Sequence, residues 1–317
     1  MRLLYIFLLF STAISSAFAI DERNIDQRLS VNGEVSVVIE NMRGKVDIFG
    51  NDGDEVSVKG VIDEMATDFI FEQKGNTIYI KVKMPAEINQ SFWGTKQQET
   101  DLLVNIPVAA KLKFSGVSSS VSAENLTQAA HLKTVSGDIK AKKLAQKVRL
   151  ETVSGDIESS DLTGKISLST VSGDIRDKNA NGTVELNAVS GDIDASGEAS
   201  NVAANVVSGD LDVNYRGLSN LSLSSVSGDV DANVVLMDDG IVKMSSVSGN
   251  LKFTIQEGAN VSVRIDSNAG GKIINQISDD KVVKAKYGPS SRLETRLGSG
   301  AASVKASTVS GTVRVSH

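Results

Sequence analysis

The stretch VRLETVSGDIESSDLTGK, Val148–Lys165, is one unit of a repeat that fills the middle of this chain. Its first four residues alternate apolar and charged side chains, which is the period-two pattern of a half-buried strand. The polar corner Ser154–Asp156 follows, then a second short strand over Ile157–Ser159, and the final TGK forms another turn. No helical periodicity is present, so the unit predicts short strands joined by polar corners.

The valine of the VSGD motif measures the repeat. It recurs every 18 residues at first, then after 19 and 21 residues, and once more near the end; the positions are Val117, Val135, Val153, Val171, Val189, Val207, Val226, Val247 and Val309. A fixed period predicts a repeat architecture. Two architectures fit such units: an antiparallel meander or propeller of hairpins, or a β-solenoid in which each unit is one coil and equivalent strands stack in parallel.

The motif favours the solenoid. A two-residue hairpin needs φ > 0 at its first central residue, where Ser is unsuitable, whereas Ser-Gly suits a type II turn. Propeller blades also need roughly 40 residues each. We therefore predict an all-β fold, a single-stranded parallel β-solenoid of about 18 residues per coil, right-handed as parallel crossovers usually are. Its valines and isoleucines are expected to stack in continuous internal ladders.

Pattern divides the chain into four sections. Residues 1–19 contain one Arg, an apolar run and an A-x-A cleavage site, which together indicate a secretory signal peptide outside the fold. Residues 20–110 are β-rich but irregular and are predicted to cap the solenoid, with Met42–Ile48 as a worn copy of the motif. Residues 111–260 hold the regular repeats, and residues 261–317 hold divergent coils and a second cap.

Composition limits the classes of function. The 317 residues include no Cys, which excludes disulfides, thiol chemistry and a lipid-attachment cysteine, and the formal net charge is -6. Nothing resembles the basic stripe of a nucleic-acid-binding protein, so no nucleic-acid partner is predicted. No stretch after the leader is apolar enough for a transmembrane helix. We expect a secreted protein, most readily periplasmic in a Gram-negative bacterium, with release or surface association as the alternative.

The Gly and Asp of the motif predict a structural corner. Gly fills the third position in eight copies, which predicts φ > 0 there, and Ser119 is the exception. The aspartates would form a column of like charges, and neighbours roughly 5 Å apart repel by about 1–3 kcal/mol. Either calcium bridges them or each carboxylate accepts hydrogen bonds from turn N–H groups. The substitutes Ser120, Asn250 and Thr312 share hydrogen bonding and not charge, which favours the corner over a metal site.

No catalytic constellation stands out. His131 could form a triad with Ser136 and Asp138, but the other copies of that corner have no His, and His317 is the last residue. We predict no catalytic, cofactor-binding or metal site, and no cofactor. A polysaccharide-active β-helix enzyme with paired carboxylates is the alternative. The aromatic pair Phe92–Trp93 is expected to pack over the core edge or to contact a partner or glycan.

Several segments together resemble the DUF4097 family of bacterial β-strand-repeat proteins, whose members are often labelled adhesins. They are IENMRGKVDIFG, LLVNIPVAAKLKFSGVSSSV, the serial VSGDI and LGSGAASVKASTVSGTVRV, and they cover most of the chain after the leader. The resemblance implies an envelope-associated β-solenoid without known catalysis and transfers no site residues. We predict a non-catalytic cell-envelope binding or scaffolding protein whose partner is an envelope polysaccharide or another envelope protein. A self-assembling scaffold is a further alternative, and the oligomeric state stays open.

Overall fold

The structure is a computed structural model that describes residues 23–85 and 98–317. The predicted signal peptide and the Phe92–Trp93 pair lie outside these residues. The described part of the chain is all-β, as predicted, and it contains no helix that could span a membrane.

The strands fall into three groups along the chain. The N-terminal group is β1 Asn24–Ser30, β2 Ser36–Asn51, β3 Glu55–Val61, β4 Asp68–Lys74, β5 Thr77–Lys83 and β6 Thr100–Pro107. The central group is β7 Lys111–Leu126, β8 Ala130–Lys133, β9 Ile139–Leu144, β10 Lys147–Glu151, β11 Ile157–Ser160, β12 Thr163–Ser172, β13 Ile175–Ser190, β14 Ile193–Ser208, β15 Leu211–Ser227, β16 Val230–Ser248 and β17 Leu251–Ile255. The C-terminal group is β18 Val261–Ser267, β19 Lys272–Asn275, β20 Val283–Lys284, β21 Ser291–Leu297, β22 Ala302–Ser310 and β23 Thr312–Ser316.

The central strands pair in parallel with their counterparts one repeat away. Ile157 of β11 lies opposite Ile175 of β13, and the same parallel pairing continues from β13 to β14, β15 and β16. The corners stack too, because the Val153 N–H donates to the Val135 carbonyl at 3.2 Å. This parallel stacking excludes the antiparallel meander and the propeller.

The core lies between the inward faces of the coils. Ile139, Ile157, Ile175 and Ile193 form one ladder whose members are almost completely buried. Burying each such side chain contributes about 1.5–3 kcal/mol, and most of that contact is with the coils on either side.

The prediction that the motif valines form an internal ladder is wrong. All nine point outward and are 37–50% exposed, whereas the residue before each, such as Thr152 before Val153, is buried or half-buried. Alternation along a strand places these two neighbours on opposite faces. The inward phase resumes at Ile157 only after the Ser-Gly-Asp interruption, so the motif presents its valine to solvent and its isoleucine to the core.

The N-terminal section supplies one coil and its cover. β2 runs parallel to β7, with Gly44 opposite Ser119, the position that holds Gly in later copies. On its other side β2 pairs in parallel with β5 and β6. Antiparallel strands then continue outward, from β6 to β3 to β1 and from β5 to β4. The first coil in the sequence therefore lies inside the stack.

The C-terminal strands do not stack in sequence order. β22 lies between β16 and β18, parallel to both, and β23 lies between β17 and β19. Antiparallel β21 covers β18, and β20 pairs with β21. The last motif copy thus lies directly on the copy at Val247, although the bonded corner residues Asn250 and Thr312 are 62 positions apart. We call this arrangement the threaded coil.

Candidate functional site

The motif glycines allow successive corners to approach closely. A Cβ placed on Gly155 would lie 2.2 Å from the carbonyl oxygen of Gly137, and one on Gly173 would lie 2.1 Å from that of Gly155. Positive φ occurs only in later copies, at Gly191, Gly209, Gly228, Gly249 and Gly311. The prediction that φ > 0 explains every copy is therefore wrong for the first three, and the shared cause is contact between coils.

The motif aspartates bond from coil to coil. Oδ1 of Asp138 accepts the backbone N–H of Asp156 at 3.1 Å, and Oδ1 of Asp156 accepts that of Asp174 at 2.9 Å; the series continues to the last copy. In a type II turn, the Asp N–H would donate to the carbonyl of the motif valine in the same coil. Here that N–H donates to the Asp side chain of the preceding coil, so the predicted turn is replaced by a bond between coils. Asn250 does the same for the Thr312 N–H at 3.1 Å, which shows that an acceptor is enough.

The second carboxylate oxygens of this column face outward. Arg176 contacts two of them, at 2.7 Å from Asp174 and 3.8 Å from Asp156. In residues 23–85 and 98–317, no three His, Asp or Glu side chains are grouped so that they could hold a metal ion. The bonds from coil to coil make the column a series of corner acceptors, and Arg176 offsets part of its charge.

The two histidines lie in different parts of the stack, His131 on β8 and His317 directly after β23. His131 Nε2 lies 3.5 Å from Oε2 of Glu151 on the neighbouring strand. His317 is exposed at the end of β23.

The buried polar side chains were not predicted from the sequence, and Asp177 and Tyr215 are two of them. Asp177 occupies an inward position between Ser159 and Ala195 of the adjacent coils, and Ser159 Oγ donates to its Oδ1 at 2.6 Å. Its Oδ2 has no hydrogen-bond partner, nor does the hydroxyl of buried Tyr215. Burial raises the pKa of Asp177 to about 6 despite the Ser159 bond. Burial, and then the Asp177 charge, raise the pKa of Tyr215. The sequence did offer one signal, because strict alternation after inward-facing Ile175 places Asp177 on the inward face as well.

A groove crosses seven strands of the described structure, and we call it the polar trough. It consists of two adjoining hollows of about 460 and 470 Å³ that share Ser222 and Lys243. The trough crosses β12, β13, β14, β15, β16, β22 and β18 in that order. Its polar lining includes Lys165, Thr183, Glu185, Asn201, Asn220, Ser222, Lys243, Ser245, Arg264, Asp266, Lys305 and Ser307.

An amide pair fixes part of the trough floor. In the trough, Asn220 Nδ2 donates to Asn201 Oδ1 at 2.9 Å. A second amide pair on β13 and β14, Asn205 Nδ2 donating to Asn187 Oδ1 at 3.0 Å, lies outside the trough lining. Because these residues lie in register on parallel strands, each amide repeats at the strand spacing. The floor thus mixes regularly spaced polar groups with apolar side chains such as Val202, Leu221 and Ile241, and no aromatic side chain is among its lining residues.

A family comparison matches residues 21–219 to the family described as Toastrack DUF4097. The chain belongs to the DUF4097 family. The match includes β1 to β14 and about half of β15, and it ends before the threaded coil. The resemblance deduced from the repeated motifs is therefore confirmed.

Other comparisons add little to this DUF4097 assignment. No curated protein matches the chain. A solved structure from Clostridium sporogenes, provisionally described as a cell adhesion protein, covers 93% of this chain and 99% of its own at 12% identity. Its TM-score of 0.22 is too low to support an argument about fold or function.

A second groove of the DUF4097 chain, of about 550 Å³, lies beside the aspartate corners. Asp212 and Asp231 line it on neighbouring strands, followed in the same row by Lys252 and Arg314. Lys252 Nζ lies 2.6 Å from Asp231. Burial, then the charges of Asp231 and Asp194, raise the pKa of Asp212. This groove changes from acidic to basic along the stack and is partly neutralised by its own residues.

Proposed function

We propose that this protein is a non-catalytic binding protein of the cell envelope that holds an extended polymer along its side. In this proposal the fold is a right-handed β-solenoid of about 18 residues per coil, with irregular β-rich ends. The leader would direct it out of the cytoplasm, to the periplasm first or to the cell surface. The partner would be an envelope polysaccharide or, as the alternative, another envelope protein.

The polar trough carries the proposal. Seven strands at the usual spacing span about 29 Å, which suits a polymer segment better than a compact metabolite. Hydroxyl and amide groups recur along it in register and can pair with the hydroxyls of a chain molecule. The family's adhesin labels agree with such a role by fold-level analogy only.

The spacing of carboxylates disfavours the enzyme alternative. Glycoside hydrolysis needs two carboxyl groups about 5–9.5 Å apart. The carboxylates that line the trough, Glu185 and Asp266, lie on β13 and β18, five strand spacings or about 24 Å apart. A paired acid and base is therefore not available from these two side chains, which supports binding without cleavage.

The test uses the chain from residue 20 to residue 317. It is applied to a glycan array and, in parallel, used as bait in envelope extract. We expect retention of an extended glycan with no new reducing ends after long incubation. Release of oligosaccharides would support the enzyme instead, and absence of any binding would refute the proposal. Mass spectrometry of the exported protein should find the chain starting at Ile20, and a retained leader would contradict export by cleavage.

A further inference from the structure

We propose that Lys243 and Lys305, in the polar trough, bind the acidic groups of an anionic glycan. This inference rests on the binding function proposed above and names its contact residues and ligand class. The ligand is a polymer bearing repeated carboxylate, phosphate or sulfate groups.

Three cations stand in one row across the trough. Lys243 of β16 lies directly opposite Lys305 of β22, which lies directly opposite Arg264 of β18. Neighbouring strands are about 4.8 Å apart, and like charges placed directly opposite each other destabilise a sheet. A row of three cations therefore has a cost that a bound anion would remove.

The same chain compensates a comparable row elsewhere. Lys140, Glu158 and Arg176 are direct neighbours on β9, β11 and β13, and their charges alternate in sign. Lys140 Nζ lies 2.9 Å from Glu158, and that bond, followed by the Glu158 charge, raises the pKa of Lys140. The trough row has no such alternation.

Two of the three trough cations lack an internal counter-ion. Arg264 is paired with Asp266 at 2.9 Å and with Glu294 at 3.5 Å. Neither Lys243 nor Lys305 has a carboxylate within ion-pair distance in the described structure, and both are exposed. In a chain of net charge -6, these two lysines form a local site for an anion.

The surroundings favour a polymer over a small anion. Lys165 lies in the other half of the trough, four strands or about 19 Å from Lys243, and it too has no ion-pair partner among described residues. Between them the lining includes hydroxyl and amide groups from Asn201, Asn220 and Ser222, beside the exposed apolar side chain of Ile241. A strand of linked sugars can pair with those groups and place acidic substituents near the lysines at both ends.

A second copy of this chain is the competing occupant. Asp194, Asp212 and Asp231 form an acidic row over three adjacent strands, with the same spacing as the cation row. Asp231 is already paired with Lys252, and Arg264 is paired within its own chain, so only two charges of each row are free to meet. A polyanion brings more charges to the trough, which favours the glycan.

The experiment compares immobilised polygalacturonate, neutral dextran and polyglutamate as probes. The test variant is Lys243→Gln/Lys305→Gln, and the matched control is Lys178→Gln/Lys284→Gln, which removes two exposed lysines away from the trough. We expect wild type and control to bind polygalacturonate, not dextran, with weakening as salt rises. The test variant should bind about tenfold more weakly at low salt. Its melting temperature should be no lower than that of wild type, because removing the two lysines relieves the repulsion within the row.

Every other outcome contradicts either this inference or the binding function proposed above. If the test variant binds polygalacturonate like wild type, or wild type prefers a neutral glycan on the array, the inference is wrong while the binding function stands. Equal binding of polyglutamate would refute the glycan class. If wild type ignores the polymers and light scattering shows self-association that the test variant loses, the acidic row of a second copy is the occupant. Absence of every interaction would refute the proposed function itself.

Discussion

Replacing Asp177 by Asn should stabilise the protein at neutral pH and not in acid. Asp177 is completely buried, and one of its oxygens has no hydrogen-bond partner. An ionised carboxylate in that position is costly because burial removes its hydration. Asn has the same shape, can still accept the Ser159 hydroxyl, and never carries the charge.

The magnitude follows from the pKa. The folded-state pKa of Asp177 is about 6, compared with an ordinary value of 3.8. Between those values the unfolded chain has released its proton while the folded chain keeps it, so stability falls as pH rises through this window. The difference of about two pKa units corresponds to a loss of about 3 kcal/mol in the free energy of unfolding, and this loss is complete above about pH 6.5. At about pH 4 the same linkage lowers the free energy of unfolding by only about 0.5 kcal/mol.

Urea unfolding at pH 4 and pH 7.5, followed by circular dichroism, measures both values. The Asp177→Asn substitution should raise the free energy of unfolding by about 3 kcal/mol at pH 7.5 and by less than about 1 kcal/mol at pH 4. Asp239→Asn, an exposed change on β16, is the control and should stay within about 0.5 kcal/mol at both pH values. A gain for Asp177→Asn that is equal at both pH values, or a loss at pH 7.5, would refute the reasoning.

Four further predictions test the corner and the strands beside it. Gly155→Ala should lower the free energy of unfolding by about 3 kcal/mol or more, because the new Cβ would meet a carbonyl oxygen. Gly75→Ala should lower it by only about 1–2 kcal/mol, because φ there is 60° but the space around it is open. Equal losses in urea unfolding would contradict the explanation by close approach. Asp174→Asn should leave the free energy of unfolding unchanged, and Asp174→Ala should lower it by about 1–2 kcal/mol, because only Ala lacks the acceptor oxygen. Calcium should leave the melting temperature of the metal-free protein unchanged, and a rise of several degrees would contradict the role of the aspartates as acceptors. Ile157→Ala should lose about 2–5 kcal/mol but Val153→Ala less than about 1 kcal/mol, and similar losses would mean that the inward and outward assignments are wrong.

The sequence predicted the all-β class and the parallel stacking because the repeat period is visible without knowing any contact. It did not predict which way the motif valines face, because alternation cannot be carried across Ser-Gly-Asp. The corner bonds also escaped prediction. Asp138 and Asp156 are 18 positions apart, and only the register of stacked coils shows that one oxygen meets the next N–H. Local turn chemistry therefore suggested the right residue type with the wrong partner.

The site was less predictable than the fold. Lys243 and Lys305 are ordinary exposed strand residues in the sequence, and their proximity depends on β22 pairing with β16 across a long intervening segment. Nothing in the local pattern of residues 302–310 names that neighbour, since each copy of the motif could stack on any other. Asp177 was missed for another reason: a single carboxylate at an inward position is outweighed by the apolar residues around it.

The threaded coil has a consequence for how the molecule is made. A chain synthesised from its amino end completes β16 and β17 well before β22 and β23 exist, and the Asn250 corner waits for a partner 62 residues later. Until then β16 presents an unpaired edge, which is an aggregation hazard, and β18 has no final place to dock. Repeat proteins can fold by adding one coil after another in sequence order, but this order stops at β17 in the present chain. The late step is an insertion with large sequence separation, so we infer that it sets the overall folding rate.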